Sequence, residues 1–206
     1  MRPELDLPSF NELEAAAHCV INVLKMMPEF ADAKIVVIGG LGIWKYLGKY
    51  RTTKDVDFLI TVHGAPKQVK DRLLAMANTP FQQDAQVFTY KAPNGKLVQI
   101  DICPGWQSPY VPSSAMLIAS IQPGFLPYIS ELDLLAFKVN SCGLRPTIDK
   151  QTRDARDARA LAILMAARGP IILSEQQKAA VLQSLDDVVK RTNWDLATWK
   201  ATLNLE

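Results

Sequence analysis

The sequence predicts an α/β (α+β) chain, with a sheet-bearing half over residues 1–129 and a helical half over residues 130–206. Three observations carry this. Short β-branched runs alternate with amphipathic stretches before Tyr128, an Asn-Gly pair joins two strand-like runs, and after Tyr128 only helical periodicity remains.

Taken in order, Phe10 to Met27 repeats apolar residues at helical spacing (Leu13, Ala17, Val20, Ile21, Leu24), with Ser9 or Asn11 as the cap. Lys34 to Ile38 reads as a buried strand that ends in a tight Gly39-Gly40 turn, and Leu41 to Leu47 as a helix packed on it. Val56 to Val62 is a second strand with Asp55 and Asp57 at its head, followed by a helical stretch from Ala65 to Ala77. Gln86 to Lys91 and Lys96 to Cys103 form a hairpin around Pro93-Asn94-Gly95. Pro104 to Pro127 is rich in Pro, Gly and Ser and reads as irregular, with one short strand near Met116 to Ile121. Helices follow at Ser130 to Ser141, Lys150 to Arg168, Ser174 to Arg191 and Trp194 to Leu203, and Gly169-Pro170 stops the second of them. Repeats and low-complexity tracts are absent from the sequence.

A length of 206 residues suits one domain or a compact domain with an attached helical subdomain, and 49% apolar with 21% charged residues is ordinary for a globular chain. The net charge of +2 is too small to argue for nucleic acid, so any basic site must come from local clustering. Cys19, Cys103 and Cys142 are widely spaced in apolar surroundings, and His18 and His63 lie far apart. That pattern reads as free buried thiols of a reducing compartment and argues against zinc. The start, Met-Arg-Pro-Glu-Leu-Asp, lacks signal-peptide order, and no apolar run has the length of a membrane span. The expectation is a cytoplasmic protein with no membrane partner; its oligomeric state is not legible.

The chemistry concentrates in the acids. Alternate strand residues share a face, so Asp55 and Asp57 project together while Val56 and Phe58 turn to the core. Two like charges on one face repel, and a divalent cation with a preference for hard oxygen ligands removes the conflict. Asp101, set in Leu97-Val98-Gln99-Ile100-Asp101-Ile102, offers a third acid that needs a partner if it is partly buried. Three acids on adjacent strands suit metal-assisted phosphoryl or nucleotidyl transfer. An isolated Asp-x-Asp is often only a solvated turn, and Gly39-Gly40 is either a simple turn or a place where backbone N–H groups approach a phosphate. A dinucleotide fingerprint fits poorly, because Lys45 stands where the third glycine would be.

With Ile38-Gly39-Gly40, a helix, Arg51-Thr52-Thr53-Lys54-Asp55-Val56-Asp57 and then Asp101 on a later strand, the chain resembles the nucleotidyltransferase superfamily. Within it the chain is similar to the minimal AbiEii/AbiGii-type enzymes, whose Arg-x-(Ser/Thr)-x-Asp-x-Asp segment matches Arg51, Thr53, Asp55 and Asp57. Lys138 on one helix and Arg153-Asp154-Ala155-Arg156-Asp157 on the next extend the likeness, which spans roughly residues 34 to 168 and leaves the last two helices unassigned. Gly40 departs from the family's common serine, and Asp101 is placed by order and strand context only.

The resemblance implies a mixed sheet flanked by helices and Mg²⁺ or Mn²⁺ on Asp55, Asp57 and Asp101, with Asp101 able to accept the attacking hydroxyl's proton. It also implies an NTP, foremost ATP, contacted by Gly39, Gly40, Arg51, Thr53, Lys138, Asp154 and Asp157. Relatives modify tRNA, protein or small hydroxylated molecules, so all three stand as acceptors. A nucleotide-binding pseudoenzyme or regulatory module is the alternative. Other readings stay open residue by residue. Lys138 is also explained as a surface lysine, and Asp154 and Asp157 as a solvated face self-paired with Arg153, Arg156 and Arg159. Arg51 binds phosphate or pairs with an acid. Lys45, Lys49, Arg51, Lys54 and the arginines from Arg145 to Arg159 serve a polyanion or the triphosphate alone. Trp106, Tyr110, Phe125 and Tyr128 form an acceptor wall or a packed loop.

Overall fold

A computed structural model describes residues 7–205. The reading of Met1 to Asp6 as lacking signal-peptide order lies outside the described residues. These residues form two compact units: one runs to Ile129 without Tyr46–Gly48, and the other joins those three residues to the chain from Ser130 onward.

The first unit is built on a mixed six-stranded sheet. Helix α1 (Phe10–Lys25) precedes β1 (Lys34–Ile38), α2 (Gly39–Leu47), β2 (Asp55–Ile60), α3 (Lys67–Leu74), β3 (Phe81–Asp84), β4 (Val87–Lys91), β5 (Leu97–Pro104) and β6 (Met116–Leu117). The strand order is β3-β4-β5-β2-β1-β6, with β2 and β5 parallel and every other pair antiparallel. Alternation divides the central strands cleanly. Val56, Phe58, Val98 and Ile100 are buried in one core with Leu13, Ala17, Val20 and Leu24 of α1, while Asp55, Asp57 and Asp101 are half-buried.

Ser9, one of the two caps expected, starts α1 through a reciprocal box: its Oγ accepts the Glu12 N–H at 3.3 Å, and Glu12 accepts the Ser9 N–H at 2.7 Å. Glu12 also takes the Asn94 amide at 2.9 Å and the Lys96 ammonium at 3.1 Å, which ties the helix start to the β4–β5 turn. Those donors, the Ser9 N–H first, pull its carboxyl down to about 2. The turn itself follows the Asn-Gly expectation, with Gly95 at φ +84°.

No run in the sequence announces the strand Phe81–Asp84, because only Phe81 in it is buried and its edge position lets Gln82, Gln83 and Asp84 face out. Two expectations are corrected. Helix α2 begins at Gly39 instead of Leu41, so the glycine pair is the helix's opening turn. Of the three free cysteines only Cys142 is fully buried, while Cys19 and Cys103 are half-exposed.

The second unit comprises α4 (Glu131–Leu144), α5 (Ile148–Ala166), α6 (Glu175–Leu182), α7 (Leu185–Arg191) and α8 (Leu196–Thr202). The single helix expected over Ser174 to Arg191 is two. Ser184 leaves helical geometry (φ −135°, ψ 18°), and its hydroxyl donates to the Asn140 carbonyl at 3.0 Å. The Asn140 amide binds the Ala180 carbonyl and Gln183 Oε1 at 3.2 and 2.8 Å, so α4 provides the hydrogen bonds that hold the break. No helix among the described residues is long and apolar enough to cross a membrane.

Candidate functional site

The parallel pairing of β2 with β5 sets Asp57 opposite Asp101 and Asp55 opposite Gln99. Adjacent strands lie about 4.8 Å apart. Asp55, Asp57 and Asp101 accordingly each bring a carboxylate oxygen to within 4.8 Å of the other two, all half-buried. On the far side of β2, Ile38 at the end of β1 pairs with Asp57, so the chain leaves β1 for α2 directly beside this acid.

That exit explains the two glycines. Gly39 has φ +69°, and a Cβ there would lie 2.6 Å from Asp57 Cγ. At Gly40 a Cβ would lie 2.8 Å from Thr53 Cβ. Neither position has room for a side chain, and the backbone comes close enough for the Gly40 N–H to donate to Asp57 Oδ2 at 3.3 Å. Thr53, two residues before the strand's first acid, donates its hydroxyl to Asp55 Oδ1. Arg51, half-buried, donates to the Thr52 carbonyl at 3.1 Å.

Asp101 is held from its own strand. Gln99 Nε2 donates to Oδ1 at 3.2 Å and to Oδ2 at 3.0 Å. Among the described residues, no lysine or arginine ion-pairs with Asp55 or Asp101; their hydrogen-bond donors, Thr53 and Gln99, are neutral. Three converging carboxylates make an all-oxygen donor set that fits a hard divalent cation such as Mg²⁺ or Mn²⁺.

Lys138, Asp154 and Asp157 form a second cluster, inside the helical unit. The Lys138 ammonium lies 2.7 Å from Asp154 and 3.0 Å from Asp157, and all three side chains are at most 6% exposed. Arg145 Nε reaches the other Asp154 oxygen at 2.6 Å and the Ser141 hydroxyl donates to it at 3.2 Å. Burial opposes ionisation of Asp154, but Lys138 and Arg145 outweigh it and hold the carboxyl below the usual range. The surface-lysine reading of Lys138 is therefore wrong, and so is the solvated, self-paired face for Asp154 and Asp157. On α5, Arg153 and Arg156 are exposed and Arg159 is half-buried, while Asp154 and Asp157 point at Lys138 on α4.

The other expected contributors are more peripheral. Lys45 lies 4.0 Å from Glu14 and 5.1 Å from the Tyr128 ring centroid, while Lys49 and Lys54 are exposed. Trp106 and Phe125 are exposed at 64% and 50%, whereas Tyr110 and Tyr128 are half-buried. Gln99 escaped notice in the sequence, although its position two residues before Asp101 on a strand was signal enough to place it on the acids' face.

No family model matches the chain, and no curated protein does. Solved structures do. An antigenic nucleotidyltransferase-like protein from Paracoccidioides brasiliensis superposes with a TM-score of 0.60 at 19% identity, over 93% of this chain and 94% of that one. The nucleotidyltransferase toxin MenT4 of Mycobacterium tuberculosis H37Rv aligns at a TM-score of 0.43 and 13% identity, over 94% and 87% of the two chains. The antibiotic-resistance factor ANT(2'')-Ia aligns at 0.43 and 12%, over 85% and 95%. The last two are too distant to argue from. The first shows that the mixed sheet and its helices have a nucleotidyltransferase-like fold, as the resemblance led us to expect.

Proposed function

We propose that the chain is a metal-dependent nucleotidyltransferase that moves an NMP group from an NTP, with ATP as donor, to a hydroxyl acceptor. The observation that carries this reading is the convergence of Asp55, Asp57 and Asp101 within 4.8 Å in a nucleotidyltransferase-like fold. Asp55, Asp57 and Asp101 would hold Mg²⁺ or Mn²⁺, which when bound neutralises triphosphate charge and stabilises the entering and leaving oxygens. Gly39 and Gly40 open α2, whose first-turn N–H groups and positive dipole end suit phosphate oxygens. Thr53 fixes Asp55 and Arg51 adds positive charge to the same loop. Asp101 would accept the acceptor hydroxyl's proton as the new O–P bond forms at the α-phosphorus and pyrophosphate departs.

Lys138, its ammonium held by Asp154 and Asp157 inside the helical unit, is assigned no contact with the nucleotide. The acceptor is a small molecule, a protein or a tRNA, and the site of action is the cytoplasm. The test is incubation with each NTP and Mg²⁺ or Mn²⁺ against an acceptor panel, read by product mass. A gain of one nucleoside monophosphate, lost in Asp57→Ala with the fold retained, is the expected result. Transfer that persists in Asp57→Ala overturns the site. Metal-dependent nucleotide binding without any turnover would instead make the chain a nucleotide-binding module.

A further inference from the structure

Gln99 meets the acid cluster twice. It is the strand partner of Asp55 across the β2–β5 ladder, and its amide nitrogen donates to both oxygens of Asp101, at 3.2 and 3.0 Å. Each of the other acids has a donor of its own: the Thr53 hydroxyl for Asp55 and the Gly40 N–H for Asp57. Among the described residues, the hydrogen bonds to Asp101 come from Gln99.

The chemistry of that donor matters. A lysine or arginine in its place would orient Asp101 but also cancel the charge a cation is to meet. A primary amide orients without cancelling. It grips the carboxylate from its strand neighbour two residues back, which restricts rotation of the Asp101 side chain and leaves the remaining lone pairs free to face the other two acids. Groups that orient a metal ligand in this way commonly change metal affinity 10–100-fold when removed.

We propose that Gln99 is a positioning residue of the candidate metal centre, its amide holding Asp101 in the orientation in which it shares a divalent cation with Asp55 and Asp57. This rests on the metal reading given above.

The experiment is Mn²⁺ binding to the full chain, followed by the loss of the free-ion electron paramagnetic resonance signal, on the parent, Gln99→Met, Asp101→Asn and the double variant. Met has nearly the shape of Gln but no donor. Gln99→Met is expected to bind Mn²⁺ about 10–100-fold more weakly than the parent with its thermal midpoint retained. Because Gln99 acts through Asp101, the double variant should bind no more weakly than Asp101→Asn alone. If Gln99→Met does not fold, Gln99→Val, a residue suited to strands and without a donor, serves the same comparison. Parent-like Mn²⁺ affinity in Gln99→Met, or full additivity in the double variant, overturns the inference and leaves the metal centre standing. A parent protein that binds no Mn²⁺ overturns the metal reading, and the role of Gln99 falls with it.

Discussion

A methyl group added at position 40 would be felt at Asp55, which it does not touch. The new Cβ would lie 2.8 Å from Thr53 Cβ, so Thr53 must move, and its hydroxyl is the donor that orients Asp55. Gly40→Ala is therefore expected to weaken Mn²⁺ binding by about tenfold, the lower end for loss of a ligand-orienting group, and to lower the thermal midpoint as the methyl overpacks the contact. Gly39→Ala should be worse on both counts. Its φ of +69° adds backbone strain of about 1 kcal/mol, and its Cβ would press on Asp57 itself. Parallel binding and melting curves check both, and a Gly40→Ala protein with parent affinity would remove Thr53 from the argument. Gly39, Gly40 and the two acids could be read from the sequence because a two-residue alternation and a glycine pair are local signals. The fit between Gly40 and Thr53 could not, because it joins residues 13 positions apart in the chain through a contact that no local pattern encodes.

The element that most changes its expected meaning is the α4–α5 pair. Lys138 reads from the sequence as a nucleotide contact, for which Lys138→Ala would be the natural probe. In the structure that substitution removes the ammonium shared by two carboxylates, Asp154 and Asp157, that are at most 1% exposed, and leaves Arg145 on Asp154. Breaking a buried pair in this way typically costs about 3–5 kcal/mol. Lys138→Ala is thus expected to lower stability first, seen as an earlier urea midpoint, and Lys138→Met with Asp154→Asn and Asp157→Asn should recover part of the loss. An unchanged midpoint in Lys138→Ala would contradict the pairing. Element ends were well marked by Ser9, Gly95 and Gly169-Pro170, each a local rule. The break at Ser184 and the edge strand at Phe81 were not, because the hydrogen bonds that make them come from Asn140 on α4 and from β4.

A capping element also carries a pH signature. Glu12 is drawn from its ordinary 4.5 to about 2 by the Ser9 N–H, Asn94 and Lys96. A carboxyl with a depressed folded value favours folding above its unfolded value and loses that contribution as pH falls through the folded one. The thermal midpoint should therefore fall more steeply between pH 4.5 and about 2 in the parent than in Glu12→Gln. Identical slopes would mean the α1–hairpin tie contributes nothing.

At the scale of the whole molecule, the sheet order is what creates the site, and the order is the part the sequence withholds. Asp101 lies 44 positions after Asp57, and only the insertion of β5 beside β2, in parallel register, makes them neighbours. A fold that brings three carboxylates within 4.8 Å works against itself unless a cation is present. Two full charges at that separation repel by about 3 kcal/mol at an effective dielectric constant of 20, and solvent at this half-buried site reduces the figure. Neutralising one acid should therefore stabilise the metal-free protein, as is common where function opposes stability. Asp101→Asn is expected to melt above the parent in chelator. Mn²⁺ at 100 times its dissociation constant adds about 2.7 kcal/mol to the parent. For a chain of this size that corresponds to a rise of roughly 5–10 °C, so the order of the two melting points should reverse when the ion is added. If Asp101→Asn melts below the parent in chelator, and Mn²⁺ moves neither, the three acids are a solvated cluster and the metal centre is wrong.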